Sequence, residues 1–175
     1  MPWARAYNLA LNGDSILIYT IVRTPGREKL FNWIRPVGDP DKNYLYKLKK
    51  AATIPDKLSS LDQARSFTIA TNYESLWHQY LVESGFSGDS IQVVASLPQV
   101  VKLLFSGRVQ FMTDSERTIK TNLKNEGKSM EDVQKSLFLF ESTPYMAFSR
   151  KTPAVLVNRV RSSFDLEYGK NKAGP

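Results

Sequence analysis

The chain of 175 residues has no cysteine, a single histidine, His78, and no uninterrupted apolar run of the ~18 residues a membrane span needs. The missing thiols exclude disulfides, thiol catalysis and cysteine-ligated zinc, and they fit a reducing or an exporting compartment equally well. His78 sits in "SLWHQYL" between Glu74 and Glu83, with no nucleophile motif beside it and no metal-ligand spacing, so it reads as an ordinary helical histidine. A glycine-rich phosphate loop is also missing. These absences lead us to expect no enzyme, no cofactor and no metal. The first residues show no charged-then-apolar pattern of a signal peptide, and no membrane insertion is expected.

What is present is the composition of a packed protein. Apolar residues make up 42% and aromatics 11%, without repeats or low-complexity tracts. The formal charge of +7 raises the question of nucleic acid. The basic residues are scattered among acids, as in "SERTIKTNLKNEGKSMED", which favours a solvated surface and no nucleic-acid partner.

Periodicity and caps order the chain as α/β. "PWARAYNLALNGD" predicts a helix with Trp3, Tyr7, Ala10 and Leu11 on one face, ended by Asn12-Gly13 as an αL-type signal. "SILIYTIV" (15–22) reads as a buried strand, and "RTPGREK" as a tight turn carrying Arg23 and Arg27. A proline-rich crossing segment follows, with "NYLYKLK" its one strand candidate. "RSFTIAT" then predicts a strand, and Asn72 a cap for a helix ending at Gly85. "SIQVVAS", a helix over "LPQVVKLLFS" closed by Gly107, and "RVQFMT" form a β-α-β unit with parallel strands. Asp114 falls at the carboxyl end of the last of these, where open α/β sheets place ligands. It fits equally well as the N-cap of the helix in "SERTIKTNLKNEG". A strand over 144–151 and a final helix after Pro153, with Leu156, Val160 and Phe164 on one stripe, complete the pattern.

In order and spacing, these stretches resemble the amino-acid-type periplasmic solute-binding proteins of bacterial extracellular solute-binding family 3. The family's opening helix, glycine turn, strand and Thr-Pro-Glu-Arg-Glu-Lys motif have counterparts in Pro2-Trp3, Asn12-Gly13 and Thr24-Pro25-Gly26-Arg27-Glu28-Lys29, followed by Phe31. "ASLPQVVKLLFSGRVQFMTDSE" resembles the lobe-two helix and strand, and "STPYMAFSRKTPAVLVNRVRSSF" the return to lobe one.

The resemblance implies a type II periplasmic-binding-protein-like fold of two lobes. Residues 1–42 and 147–175 would form part of lobe one and 47–142 would form lobe two, with hinges near 43–46 and 143–146. It further implies a strand-helix-strand unit of roughly 30 residues ahead of Met1, so lobe one is expected to be incomplete. The implied function is non-catalytic capture of a small polar solute, an amino acid or related carboxylate, in the periplasm and for an ABC permease. A ligand-sensing module or a degenerate paralogue is the alternative. Arg27 matches the family's carboxylate arginine, whose planar fork suits two carboxylate oxygens. Asp114 would meet the ligand ammonium. Tyr19, Thr20 and Val22 align with strand-end contacts, and Thr71 and Asn72 with hydroxyl and amide donors at a helix start over 72–75. Gly26, where the family has Glu, is expected to loosen the turn. The packing face left open by the missing unit predicts a homo-oligomer or strand-exchanged dimer.

Overall fold

The computed structural model describes the backbone of residues 1–172 and the side chains of residues 1–166. In chain order the first elements are α1 (Trp3–Asn12), β1 (Leu17–Val22), β2 (Phe31–Pro36), β3 (Asp41–Leu48), β4 (Ile69–Asn72), α2 (Leu76–Glu83) and β5 (Ile91–Val94). They are followed by α3 (Leu97–Phe105), β6 (Phe111–Ser115), α4 (Ile119–Asn125), β7 (Val133–Ser142), β8 (Pro144–Ser149) and α5 (Ala154–Lys172). The chain divides into a larger unit, Met1–Ala4 with Asp41–Ser142, and a smaller one, Arg5–Pro40 with the residues from Thr143 on. Both crossings lie beside strands, before β3 and between β7 and β8, and residues 43–46 fall inside β3.

The larger unit is built on a five-stranded sheet of order β5-β4-β6-β3-β7. β4 pairs parallel with both β5 and β6, while β3 runs antiparallel to β6 and β7. β5 and β6 are therefore parallel, as the β-α-β pattern predicts, but β4 lies between them. One face of the sheet packs Tyr46, Ala70 and Met112 against Val100, Val101 and Leu104 of α3 and Ile119 and Leu123 of α4. The other packs Leu45, Ile69 and Phe111 against Leu81 and Phe86. Leu45 and Tyr46 are successive residues on opposite faces, as a strand's two-residue period requires. Lys47 is fully buried, and its ammonium donates to the carbonyls of Ala51 (3.2 Å) and Ile54 (2.5 Å) and to Asp56 Oδ1 (2.8 Å). These bonds pin the irregular segment after β3 to the strand it leaves.

The smaller unit carries a three-stranded antiparallel sheet of order β1-β8-β2. Ile34, Met146 and Phe148 pack on Val157 of α5, with Leu156, Val160 and Phe164 completing the stripe expected from sequence. Tyr7, Phe31, Trp33 and Tyr145 form an aromatic chain with ring centroids 5.7–5.8 Å apart, within the range of favourable tilted and edge contacts.

Several expectations are corrected. β1 is an edge strand, not a buried one: only Ile18 and Ile21 are buried, while Leu17 is 46% and Tyr19 56% exposed. α1 does end at Asn12, but Gly13 lacks the left-handed conformation, which falls on Ser15 (φ 56°). Glycine is needed at 13 because a Cβ there would lie 2.6 Å from the Leu9 carbonyl oxygen. Gly85 and Gly107 do adopt positive φ after α2 and α3, where a residue without Cβ is cheapest. Ser75, not Asn72, caps α2, its side chain accepting from the His78 amide at 3.0 Å. β2 and β7 are strands that the sequence patterns did not indicate.

Candidate functional site

The candidate residues fall into two groups, one in each unit. In the larger unit they collect at the carboxyl ends of β4 and β6, because the parallel pairing of those strands brings Thr71-Asn72 and Thr113-Asp114-Ser115 to the same end of the sheet. Thr113 Oγ1 donates to Thr71 Oγ1 at 3.0 Å, and Thr71 and Ser75 place their hydroxyls 3.4 Å apart. All of these side chains are buried. Asn72 Oδ1 is buried as well, and no hydrogen-bond donor reaches it among the described residues. An unfilled acceptor of this kind costs free energy unless something donates to it.

Asp114 is 1% exposed and lies at the centre of its own network. Oδ1 accepts from the Ser115 amide at 2.7 Å and from Thr118 Oγ1 at 2.5 Å, and Oδ2 accepts from Asn122 Nδ2 at 2.7 Å. Burial pushes the carboxyl up from 3.8 to about 6, against the downward pull of those three bonds. The carboxylate thus ties the end of β6 to the start of α4. The N-cap position of α4 belongs to Thr118, so Asp114 braces the turn from outside it. Neighbouring Tyr46 has its hydroxyl raised in pKa by burial first and then by the charge of Asp114.

In the smaller unit, the turn after β1 separates its two arginines by role. Arg23 reaches Glu28 through two bonds of 2.7 and 2.5 Å, and its guanidinium lies 5.6 Å from the Trp33 ring and 5.7 Å from Tyr145. That bidentate bond holds the Glu28 carboxyl below its usual range. Arg27 is 2% exposed at the end of a one-turn 3-10 helix, Pro25–Arg27, which Thr24 caps by accepting from the Arg27 amide at 3.3 Å. Its guanidinium donates to the Val22 carbonyl at 3.3 Å and lies 5.0 Å from the Tyr7 ring centroid. A cation over an aromatic face out of water is favourable by up to about 2 kcal/mol. Thr20 adopts φ 64° and turns its hydroxyl onto the Tyr19 carbonyl at 2.7 Å.

The sequence singled out Thr71, Asn72 and Asp114 together with Arg27, Val22, Thr20 and Tyr19. The structure brings the first three together in one unit and the other four in the other. Ser75, Thr113, Thr118 and Asn122 were missed in the first group and Tyr7 in the second. Thr113 was within reach of sequence reasoning, since it precedes Asp114 in the same strand end. Tyr7 was not, because it meets Arg27 only through tertiary packing. His78 faces no metal ligands: among the described residues, no cluster of His, Asp and Glu could hold a metal ion. Its Nδ1 accepts from the Glu74 amide at 3.2 Å, and burial lowers its pKa.

No protein-family model matches the sequence, and no curated protein matches it significantly. Solved structures do match by fold. A histidine kinase sensor domain with similarity to periplasmic binding proteins superposes with a TM-score of 0.78 at 14% identity, over 98% of this chain and 73% of that one. Holo ArgBP from T. maritima gives 0.74 at 16% identity, over 100% and 72%. The GluR0 ligand-binding core from Nostoc punctiforme, in complex with (L)-glutamate, gives 0.65 at 18% identity, over 89% and 68%. The chain therefore has the α/β, periplasmic-binding-protein-like fold that the resemblance implied.

Proposed function

We propose that this chain binds a small polar solute without transforming it, and that the solute is an amino acid or a related carboxylate. The observation that carries this reading is the group at the carboxyl ends of β4 and β6, where the hydroxyls of Thr71, Ser75 and Thr113 meet one another and the buried Asn72 Oδ1 has no donor among the described residues. Open α/β sheets hold ligands at such strand ends, and an ammonium or amide N–H of a solute is the donor this acceptor lacks. Asp114, its oxygens engaged by its own unit, acts on the solute as a fixed negative charge. In the smaller unit, Arg27 is the candidate group for a carboxylate, with Val22, Thr20 and Tyr19 as the strand end beside it.

We read its role as uptake from the periplasm, with an ABC permease as its partner. A second reading, a ligand-sensing module, is favoured by the superposition on a kinase sensor domain. The exposed edge of β1, with Leu17 and Tyr19 outward, supports self-association through that strand. Light scattering that returns a monomer mass at every concentration would exclude it.

A thermal-shift screen against the amino acids and small carboxylates tests the binding reading, with Asn72→Ala, Asp114→Asn and Arg27→Gln alongside. A solute present at a hundredfold excess over its dissociation constant stabilises the folded state by about 2.7 kcal/mol. A shift with one ligand class that disappears in Asn72→Ala supports the assignment. No shift with any ligand from a well-folded sample rejects it and leaves a lineage that has lost binding. Restoration of amino-acid uptake in a deletion strain separates transport from sensing.

A further inference from the structure

A second basin lies wholly within the smaller unit, between β2 and the start of α5, and none of the residues assigned to the solute lines it. Its volume is about 630 Å³, within the ~300–1,000 Å³ of small-molecule sites. Three arginines, Arg23, Arg150 and Arg161, and one carboxylate, Glu28, are the charged groups on its wall. Arg23 already takes Glu28.

The other two arginines are held in a different way. Arg150 Nη1 donates to Asn32 Oδ1 at 3.0 Å, and the same Asn32 fixes itself by donating to the carbonyls of Ser149 at 3.0 Å and Arg150 at 3.1 Å. Arg161 donates through Nη1 to Asn158 Oδ1 at 3.2 Å and through Nη2 to the Trp33 carbonyl at 2.8 Å. Every one of these acceptors is neutral. Among the described residues neither guanidinium has a carboxylate partner, in contrast to Arg23, Arg35, Arg65 and Arg117, each of which forms an ion pair. Asparagine amides thus orient two cations and leave their charge uncompensated. A guanidinium fixed in this way loses little side-chain entropy on binding and keeps donors for a planar or tetrahedral oxyanion. The first turn of α5 adds partial positive charge on the same side.

We infer that this basin is an anion site, distinct from the solute site, that takes a small organic molecule carrying a phosphate or carboxylate group across Arg150 and Arg161. The volume exceeds what a bare ion fills, which leaves room for the rest of the molecule beside its acidic group.

The test is titration of the protein with phosphate, pyrophosphate and citrate at constant ionic strength, with chloride as the control, followed by amide chemical shifts. The readout is the backbone signals of residues 150–158 and the Asn32 and Asn158 side-chain amides. We expect saturable shifts confined to these signals. Pyrophosphate binding more tightly than citrate marks a phosphate site, and the reverse order a carboxylate site. Arg150→Gln and Arg161→Gln each weaken binding about tenfold, the effect of losing one charge-assisted bond, whereas Arg150→Lys, which keeps the charge, weakens it less. Shifts that rise linearly without saturating, that chloride reproduces, or that persist unchanged in a folded Arg150→Gln/Arg161→Gln double variant overturn the inference. Because the signals of residues 71–75 and 113–118 are scored in the same spectra, the outcome does not depend on whether the solute site binds.

Discussion

Asp114 makes the larger unit less stable as pH rises toward neutrality, the reverse of the usual behaviour of a bonded carboxylate. Its carboxyl is shifted up on folding, from 3.8 to about 6, by burial that outweighs three hydrogen bonds. A group with the higher pKa in the folded state keeps its proton longer there, so protonation favours folding. The contribution is complete below pH 3.8 and is lost as pH rises through about 6. At 1.36 kcal/mol per pKa unit, its full size is about 3 kcal/mol. His78 acts in the opposite sense in part of this window, because burial lowers its pKa and stability from it is lost as pH falls. The exposed pairs that lower Glu28, Asp56 and Glu116 also oppose it, but only toward the acidic end. The measurement is therefore a difference between the native protein and Asp114→Asn. Hydrogen exchange at the Met112 and Thr113 amides, followed in urea between pH 4 and 7.5, reads the opening of this unit. The native protein should lose about 2.5 kcal/mol relative to the variant across that range, the rest of the contribution being lost already by pH 4. Equal slopes in the two proteins, or a native protein that gains on the variant as pH rises, would refute the burial argument.

Ser75→Ala should cost about 1 kcal/mol by removing the cap of α2, and Asn72→Ala should leave the helix start intact; urea unfolding compares the two. Asp56→Ala should lower the urea midpoint because the buried Lys47 ammonium keeps only neutral acceptors, and Lys47→Met in the same assay should lower it less. Gly26→Ala should be neutral or stabilise by about 0.4–1 kcal/mol, since a Cβ there meets nothing within 4 Å and the residue is not left-handed. A clear loss of melting temperature in Gly26→Ala would show that the turn needs glycine after all.

The parts of the fold that were legible in sequence are those specified locally. α3 announces itself by Val100, Val101 and Leu104 and by Gly107, and α5 by its stripe after Pro153, because helical period and terminators lie within a few residues of each other. β7 was not legible. Its ten residues mix Lys135, Glu141 and an outward Phe138 with buried Val133 and Leu139, and its strand character comes from pairing with β3 some ninety residues away. β2 was obscured by prolines at its end. The candidate site divides along the same line. Residue type and strand-end position pointed to Thr71, Asn72, Asp114 and Arg27, but the engagement of Asp114 by Asn122, one turn into α4, and the covering of Arg27 by Tyr7 depend on packing that no local pattern encodes.

Lys47 has a bearing on how this protein would respond to chemical labelling. Its amine is enclosed, with 0% of the side chain exposed, while Lys151 and Lys102 stand about 70% in solvent. Reagents that acylate amines will consume such surface lysines at once but reach Lys47 only when β3 and the segment after it come apart. The slow fraction of modification at this one position is thus a clock for the opening of the larger unit, readable by mass in an otherwise unaltered chain.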